Sequence, residues 1–257
     1  MSVHDIYLGI DPTAGRRPAT LAALDDDLRI VHLGPIGVEE LVTFIEAHPG
    51  AVLAVDAPQS PNRGLMRRPE MRRRLGLPPR GRTFAEWKVC EYELRRRNVR
   101  IYATPSKASA APAWMRAGFA LYARLRKLGF SFIRLGEALP ARIMIEVHPH
   151  ACFAVLLGHR PLLKANLEGR LQRQMVLYLE GIDLRNPVHT LEEVTRQHLL
   201  AGALPLDGLH NHDELDALVA AYTAFLVHQK PARVCQVGDP QEGLITLPAA
   251  SLKDRYE

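Results

Sequence analysis

The stretch Asn211-His212-Asp213-Glu214-Leu215-Asp216-Ala217-Leu218-Val219-Ala220-Ala221 places three carboxylates within four residues and then becomes apolar and small. Its pattern predicts a helix that runs to about residue 228. On a helix, Asp213 and Asp216 lie about 60° apart around the axis and roughly 4.5 Å apart along it. Both carboxylates can therefore point at one spot.

Two interpretations of these acids are open. Acids in a first helical turn stabilise the helix through its macrodipole, which needs no further function. That explanation does not account for the small residues that continue the acidic face: Ala217, Ala220, Ala221 and Ala224. Small residues let a helix lie close to a sheet, so the first turn would come near whatever that sheet presents.

Composition favours a globular protein that we predict to be a single domain of residues 1–257. Hydrophobic residues make up 47% and charged residues 24%, and no apolar run approaches the roughly 20 residues of a membrane span. We therefore expect no membrane partner. Cys90, Cys152 and Cys235 are too few and too far apart for a disulfide framework or a zinc site. They suit a reducing compartment, and we predict a cytoplasmic location.

The first part of the chain predicts an α/β fold with a mixed sheet. Residues 6–10, 19–24, 29–33 and 51–55 read as strands, and residues 38–48 have the apolar spacing of a helix. A crossover through a helix joins parallel strands, so the first and fourth strands should form the central parallel pair.

Three predicted strands end in an acid: Asp11, Asp56, and Glu146 after the strand of residues 142–145. Polar residues that end parallel strands line up along one edge of a sheet, and the late helix could bring Asp213 and Asp216 to the same edge. Carboxylates 4 Å apart repel by about 4 kcal/mol per pair, so the cluster requires protonation or bound cations. Oxygen-only ligands favour Mg²⁺ or Mn²⁺. Two such ions would support hydrolysis of a phosphodiester.

Residues 63–100 carry 13 of the 33 Lys and Arg residues against four acids, an excess of nine positive charges in a chain whose net charge is +5. They begin a predicted basic helical insertion of about residues 60–140, after the fourth strand, with a helix at residues 84–97. The segment is either a solvated basic face or a surface for a polyphosphate. The second interpretation makes five arginines candidate substrate-binding residues: Arg72, Arg73, Arg74, Arg95 and Arg96.

The remaining predicted helices cover residues 112–127, 164–180 and 190–200, the last announced by the capping-box pattern Thr190-Leu191-Glu192-Glu193. Pro149 should open another helix. Residues 234–237 and 244–247 are candidate closing strands.

Five motifs occur in order along the chain: Gly9-Ile10-Asp11, Val55-Asp56-Ala57-Pro58, Cys90-Glu91-x-x-Leu94-Arg95-Arg96-Arg97, Glu146-Val147-His148-Pro149 and His212-Asp213-Glu214-Leu215-Asp216-Ala217. Together they resemble the family known as domain of unknown function 429, whose members are described as predicted ribonuclease H-like nucleases. The late helix is especially similar to that of RuvC-type Holliday junction resolvases. The resemblance implies a ribonuclease H-like, five-stranded mixed sheet flanked by helices.

The same resemblance implies a nuclease that hydrolyses DNA or RNA with two Mg²⁺ or Mn²⁺ ions. Asp11, Asp56, Asp213 and Asp216 would be catalytic metal ligands. Glu146 would be an auxiliary ligand or a substrate-positioning group, and is counted with the catalytic residues. His148 and His212 are candidate substrate-binding residues that either transfer protons or donate orienting hydrogen bonds.

Two other functions stay open. Actin-like phosphotransferases share this type of sheet, and Asp11-Pro12-Thr13-Ala14-Gly15 faintly resembles their first phosphate loop. Against that class, the chain predicts one such sheet where those proteins need two. The third possibility is a nucleic-acid-binding protein that keeps the fold without turnover.

Overall fold

The structure, a computed structural model, describes residues 6–13, 18–193, 196–204 and 206–257. Residues 14 and 15 of the predicted phosphate-loop pattern lie outside the described residues, as do residues 194 and 195 of a predicted helix. The strands are β1 (Tyr7–Asp11), β2 (Ala19–Leu24), β3 (Ile30–Ile36), β4 (Val52–Val55), β5 (Ser131–Phe132), β6 (Ile143–Glu146), β7 (Cys235–Asp239) and β8 (Gly243–Leu247). The helices are α1 (Val38–Ala47), α2 (Pro69–Arg74), α3 (Val89–Arg96), α4 (Ala113–Lys127), α5 (Pro149–Leu157), α6 (Leu167–Leu179), α7 (Val188–Glu192), α8 (Arg196–Leu200) and α9 (His212–Gln229).

The strands form one mixed sheet in the order β3-β2-β1-β4-β6-β8-β7, with β5 beside β6. The first three strands are antiparallel neighbours, whereas β4 is parallel to β1 and β6 is parallel to β4. The predicted central parallel pair is therefore confirmed, with Tyr7 opposite Val52 and Ile10 opposite Val55. The sheet has eight strands rather than five, because β8, β7 and the short β5 extend it beyond β6.

Side-chain alternation along the central strands separates two hydrophobic cores. Tyr7 and Ala54 pack on the face covered by α9, α5 and α6, whereas Leu8 and Leu53 pack on the face covered by α1 and α4. All four residues have no exposed surface. Such continuous burial is expected of parallel strands that are covered by helices on both faces.

Helix α9 lies directly on the middle of the sheet. Its residues are buried from Leu215 to Val227, since the sheet is on one side and α5 and α6 are on the other. The predicted close approach occurs at Gly9, where an added Cβ would lie 1.9 Å from the carbonyl oxygen of Ala217. A glycine is therefore required beneath the small-residue face of the helix.

Two predicted helix boundaries are wrong. Helix α3 begins at Val89 rather than at residue 84, because Phe84 has a φ of 61°, which is incompatible with a right-handed helix. Thr190 does not begin a helix. It lies inside α7, where its N–H donates to the carbonyl of Pro187, so the helical turn has already started.

The segment between β4 and β6 is part of the domain core. Helix α4 covers one face of the sheet with Leu121, Tyr122 and Leu125. Helix α3 packs on β7, and Arg74 Nη2 lies 2.9 Å from Asp239 Oδ2. These contacts fasten the segment to the sheet at two places.

Among the described residues, no helix is both long and apolar enough to cross a membrane. The three cysteines are unpaired, with Cys90 and Cys152 buried and Cys235 partly buried.

Candidate functional site

The first two acids of the site lie side by side at the carboxyl ends of the central strands. Asp11 is the last residue of β1, and Asp56 follows β4 directly. The Asp56 N–H donates to the carbonyl of Ile10 at 2.9 Å, so the parallel ladder continues into Asp56. Side chains alternate along a strand, so Asp11 points to the same face as Gly9, and Asp56 to the same face as Ala54. That is the face on which α9 packs.

Helix α9 brings two further acids to this edge. Asn211 caps the helix by accepting hydrogen bonds from the N–H groups of Asp213 and Glu214, and the Glu214 carboxylate accepts from the Asn211 N–H. This reciprocal cap occupies Glu214 and leaves Asp213 and Asp216 to face the site. The Asp213 side chain is 30% exposed, whereas the Asp216 side chain is only 4% exposed.

The charges of Asp56, Asp213 and Asp216 all act on Asp11 and affect its pKa. Burial, and to a smaller extent the neighbouring charges of Asp56, Asp216 and Asp213, raise the pKa of Asp11 to about 7. A hydrogen bond from the Thr13 N–H to Asp11 Oδ1, at 3.1 Å, opposes this effect. Like charges disfavour each other's ionisation, so Asp11 holds a proton near neutral pH when no cation compensates it.

A lysine, Lys164, supplies positive charge to this cluster. Its Nζ lies 2.6 Å from Asp216 Oδ2. Although burial opposes it, Asp216 raises the pKa of Lys164, with smaller contributions from Asp56 and Asp11. Burial also raises the pKa of Asp216, and Lys164 counteracts that rise. The ammonium group therefore lies where the fields of three carboxylates overlap.

The donor chemistry of the cluster suits a hard divalent cation, but the side chains are not arranged around one point. Among the described residues, no group of three or more His, Cys, Asp or Glu side chains has the geometry to hold a metal ion. Asp216 is engaged by Lys164 and Asp11 by the Thr13 N–H. Carboxylate ligands for Mg²⁺ or Mn²⁺ would require Lys164 to leave Asp216.

Two predicted histidines lie beside the acids. His148 Nδ1 is 3.8 Å from Asp56 Oδ1, and its Nε2 is 2.9 Å from the carbonyl oxygen of Arg100. Burial alone would lower the pKa of His148, but the Asp56 carboxylate outweighs burial and raises it. His212 Nδ1 is 2.7 Å from Asp213 Oδ1, a close contact without hydrogen-bond geometry.

Glu146 belongs to a different set of contacts. It is 3% exposed, and its Oε2 accepts a hydrogen bond from the Gln59 N–H at 3.0 Å. Burial raises its pKa, while the charge of the fully buried Lys88 lowers it. Since Ile145 packs on the α9 face, alternation turns Glu146 to the opposite face of the strand, although Glu146 and Asp56 line one pocket. The auxiliary role of Glu146 stays a prediction.

The predicted substrate-binding arginines are dispersed. Arg72 is only 2% exposed and donates to the carbonyls of Met66, Pro78 and Thr83, so it stabilises its own loop and cannot reach a phosphate. Arg73 pairs with Glu70, and Arg74 pairs with Asp239. Arg95 is exposed. Arg96 is likewise exposed. None of the five lines the cleft beside Asp56 and Asp216.

Sequence reasoning did not find Lys164, which lies 52 residues from Asp216 and belongs to none of the motifs. The available signal was indirect. A cluster of four acids needs a compensating cation, and the lysine that begins the predicted helix of residues 164–180 could have been considered for it.

The fold and the site together define a mixed-sheet α/β protein with an aspartate cluster at the carboxyl ends of its central parallel strands. The sequence model of the family described as "Protein of unknown function (DUF429)" matches residues 9–242. The chain therefore belongs to the DUF429 family. Comparison with curated proteins and with solved structures gave no significant match.

Proposed function

We propose that the protein is a ribonuclease H-like nuclease that hydrolyses phosphodiester bonds of nucleic acid with bound Mg²⁺ or Mn²⁺. The observation that carries the proposal is the position of Lys164 Nζ, 2.6 Å from Asp216 and within the fields of Asp56 and Asp11. Lys164 already places a cation against the Asp216 carboxylate, where the charges of Asp56 and Asp11 also act on it. In a metal-bound state, divalent ions would replace that charge.

The strand order supports the fold part of the proposal. Strands β3, β2, β1, β4 and β6 are consecutive in the sheet, with antiparallel pairing in the first three and parallel pairing in the rest. A run of five strands with this mixed pairing supports the ribonuclease H-like part of the proposal, although the described sheet also contains β5, β7 and β8.

The side chains of the cluster fall into two groups: those that would hold the metal ions and those that would hold or transfer protons. Asp11, Asp56, Asp213 and Asp216 would hold the ions, which when bound supply Lewis acidity towards the attacking water and the leaving oxygen. His148 would hold or transfer a proton beside Asp56, because that carboxylate outweighs burial and raises the pKa of the imidazole. Displaced from Asp216, Lys164 would remain near the site as a cation for a substrate phosphate.

A cleavage assay tests this function. Labelled single-stranded, duplex and junction DNA and RNA are incubated with the protein in Mg²⁺ and in Mn²⁺. We expect metal-dependent cleavage that Asp56→Asn abolishes, since Asp56 is a metal ligand whose side chain is 25% exposed and tolerates an isosteric change. Asp254→Asn, on an exposed residue, is the matched control and should cleave like the wild type.

The same assay distinguishes the other functions. If no nucleic acid on the panel is cleaved in either metal, the nuclease proposal fails. Stabilisation by ATP–Mg²⁺ without stabilisation by oligonucleotide would then favour a phosphotransferase. Stabilisation by oligonucleotide alone would favour a nucleic-acid-binding protein without turnover.

Replacing Lys164 by glutamine should strengthen binding of Mn²⁺. The variant removes the cation that competes for Asp216, a contact worth about 1.4 kcal/mol for a hydrogen-bonded charge pair, or about tenfold in affinity. The measurement is the Mn²⁺ concentration that gives half of the maximal thermal stabilisation. A midpoint that is unchanged, or higher than that of the wild type, would mean that Lys164 does not compete with a metal ion for Asp216.

A further inference from the structure

A cleft beside the aspartate cluster carries several cationic side chains. It has a volume of about 830 Å³ including its open mouth. Asp56 and Asp216 line it together with the cations Arg100, Arg160, Lys164 and Arg173, and its other lining residues are uncharged prolines, leucines and Tyr102 and the histidines His148 and His150. Four cations against two carboxylates leave an excess of two positive charges. This excess is available to an anion.

Arg173 is the most informative residue of this cleft. It is 1% exposed and stacks over the Phe153 ring at 5.2 Å. Its Nη1 donates to the carbonyls of Leu162 and Gly169, but its Nε–H is buried without an acceptor. Within the described part of the chain, no carboxylate forms a salt bridge with it. The charge of Asp216 acts on Arg173 without forming a salt bridge with it. An anion bound in the cleft would stabilise the buried guanidinium further.

Arg100 and Arg160 extend the positive charge to the mouth of the cleft. Both are exposed, and neither forms a salt bridge with any residue that the structure describes. Arg100 also lies over the exposed Tyr102 ring, 5.9 Å from its centroid, which fixes the direction of its side chain. By contrast, other exposed arginines such as Arg67 and Arg124 are already neutralised by glutamates.

The pKa of His150, which also lines the cleft, is lowered by burial and by the positive charges around it. Burial lowers the pKa of His150 to about 3, and the surrounding cationic side chains add to the effect: His148, Arg173, Arg100 and Arg160. The imidazole is therefore neutral at physiological pH and can accept or donate one hydrogen bond. It adds no further charge to the cleft.

We propose that this cleft is a phosphate-binding subsite, which takes a phosphate group of a nucleic-acid strand adjacent to the bond held at the aspartates. Arg100 and Arg160 would form the outer contacts and Arg173 the inner one. The assignment to a nucleic-acid strand rests on the proposed function. The phosphate itself follows from the charge, since guanidinium groups match phosphate oxygens in pairs. An internal phosphodiester would balance one of the two excess charges and a terminal monoester nearly both.

Binding without metal tests the proposal separately from cleavage. Affinity for short single-stranded oligonucleotides, with a 5′-phosphate or a 5′-hydroxyl end, is measured by calorimetry in EDTA, and inorganic phosphate is titrated in parallel. We expect Arg100→Gln and Arg160→Gln each to weaken binding about tenfold, the effect of losing one charged hydrogen bond. Arg255→Gln removes an equally exposed charge at the chain end and should stay within about twofold.

Each outcome decides one point. If both cleft variants bind like Arg255→Gln, or if the wild type binds neither probe, the subsite is overturned. A 5′-phosphate that strengthens wild-type binding but not that of Arg160→Gln identifies a terminal phosphate, and equal binding of both ends identifies an internal one. If the variants weaken the binding of inorganic phosphate but not that of the oligonucleotides, the subsite stands and its assignment to a nucleic-acid strand is overturned. If the wild type binds oligonucleotides and the cleft variants weaken that binding, but no oligonucleotide is cleaved, the nuclease proposal fails and the subsite stands.

Discussion

Replacing Asp11 by asparagine should raise the melting temperature at about pH 8 by roughly 10 °C. Burial raises the pKa of Asp11 from 3.8 to about 7, so its ionised form is costly in the folded protein. At about 1.4 kcal/mol per pKa unit, this cost is on the order of 4 kcal/mol above pH 7. For a chain of this size, each kcal/mol corresponds to about 2–4 °C. Asparagine keeps an oxygen for the Thr13 N–H and carries no charge.

The pH dependence identifies the cause of this gain. A carboxyl whose folded pKa is raised makes its full contribution to stability below about pH 4, and this contribution is lost as pH rises through about 7. The gain from Asp11→Asn should therefore fall to less than half at about pH 5. Differential scanning calorimetry at both pH values measures it, with the exposed Asp254→Asn as the control, expected to change stability by less than about 0.5 kcal/mol. An equal gain at both pH values, or a loss, would mean that the ionised form of Asp11 carries no such cost in the folded protein.

The sequence was sufficient to find the parts of the site whose positions follow from strand periodicity and helix spacing. Asp11 and Asp56 end parallel strands, and parallel strands deliver their carboxyl ends to one edge whatever the rest of the chain does. The alanines of α9 predicted a close approach to the sheet, and Gly9 beneath Ala217 is the other half of that contact. Both signals are local, so a single sequence carries them.

Long-range partners could not be found in the same way. Whether an arginine faces solvent or turns into its own loop depends on carbonyls that the fold positions, and Arg72 is bonded to three of them. The charge count of residues 63–100 treated that buried side chain and the exposed Arg95 alike. Lys164 and Arg173 join the site only because α6 and the loop before it pack beside α9.

The contacts of Glu146 also could not be found from the sequence. A strand-terminal acid was expected to join the others, since it ends the strand next to Asp56. One residue of register reverses the face to which a side chain points, and Glu146 is in the strand position that alternates with Ile145. Its Oε2 accepts a hydrogen bond from the Gln59 N–H, while Glu146 and Asp56 line one pocket.

Replacing Gly9 by alanine should lower the free energy of unfolding by roughly 3 kcal/mol or more, the upper range for forcing an extra carbon into a packed core. The new Cβ would lie 1.9 Å from the carbonyl oxygen of Ala217 and 2.4 Å from the backbone nitrogen of Ala221. Both atoms are backbone, so α9 as a whole must move away from β1. The melting temperature should fall by about 10 °C. Gly37→Ala is the control, because nothing lies nearer than 4.0 Å to its added carbon.

The displacement of α9 should also separate the two halves of the aspartate cluster, since Asp216 is next to Ala217 and Asp11 is two residues from Gly9. We expect Gly9→Ala to lose thermal stabilisation by Mn²⁺ at temperatures where circular dichroism shows it folded, whereas Gly37→Ala keeps it. Adding Ala221→Gly should not restore either property, because the clash involves the Ala221 nitrogen and not its methyl group. If Ala221→Gly restored stability, the clash would involve the Ala221 methyl group and not the backbone. An unaltered Mn²⁺ response in folded Gly9→Ala would mean that the close seat of α9 on β1 does not position the cluster.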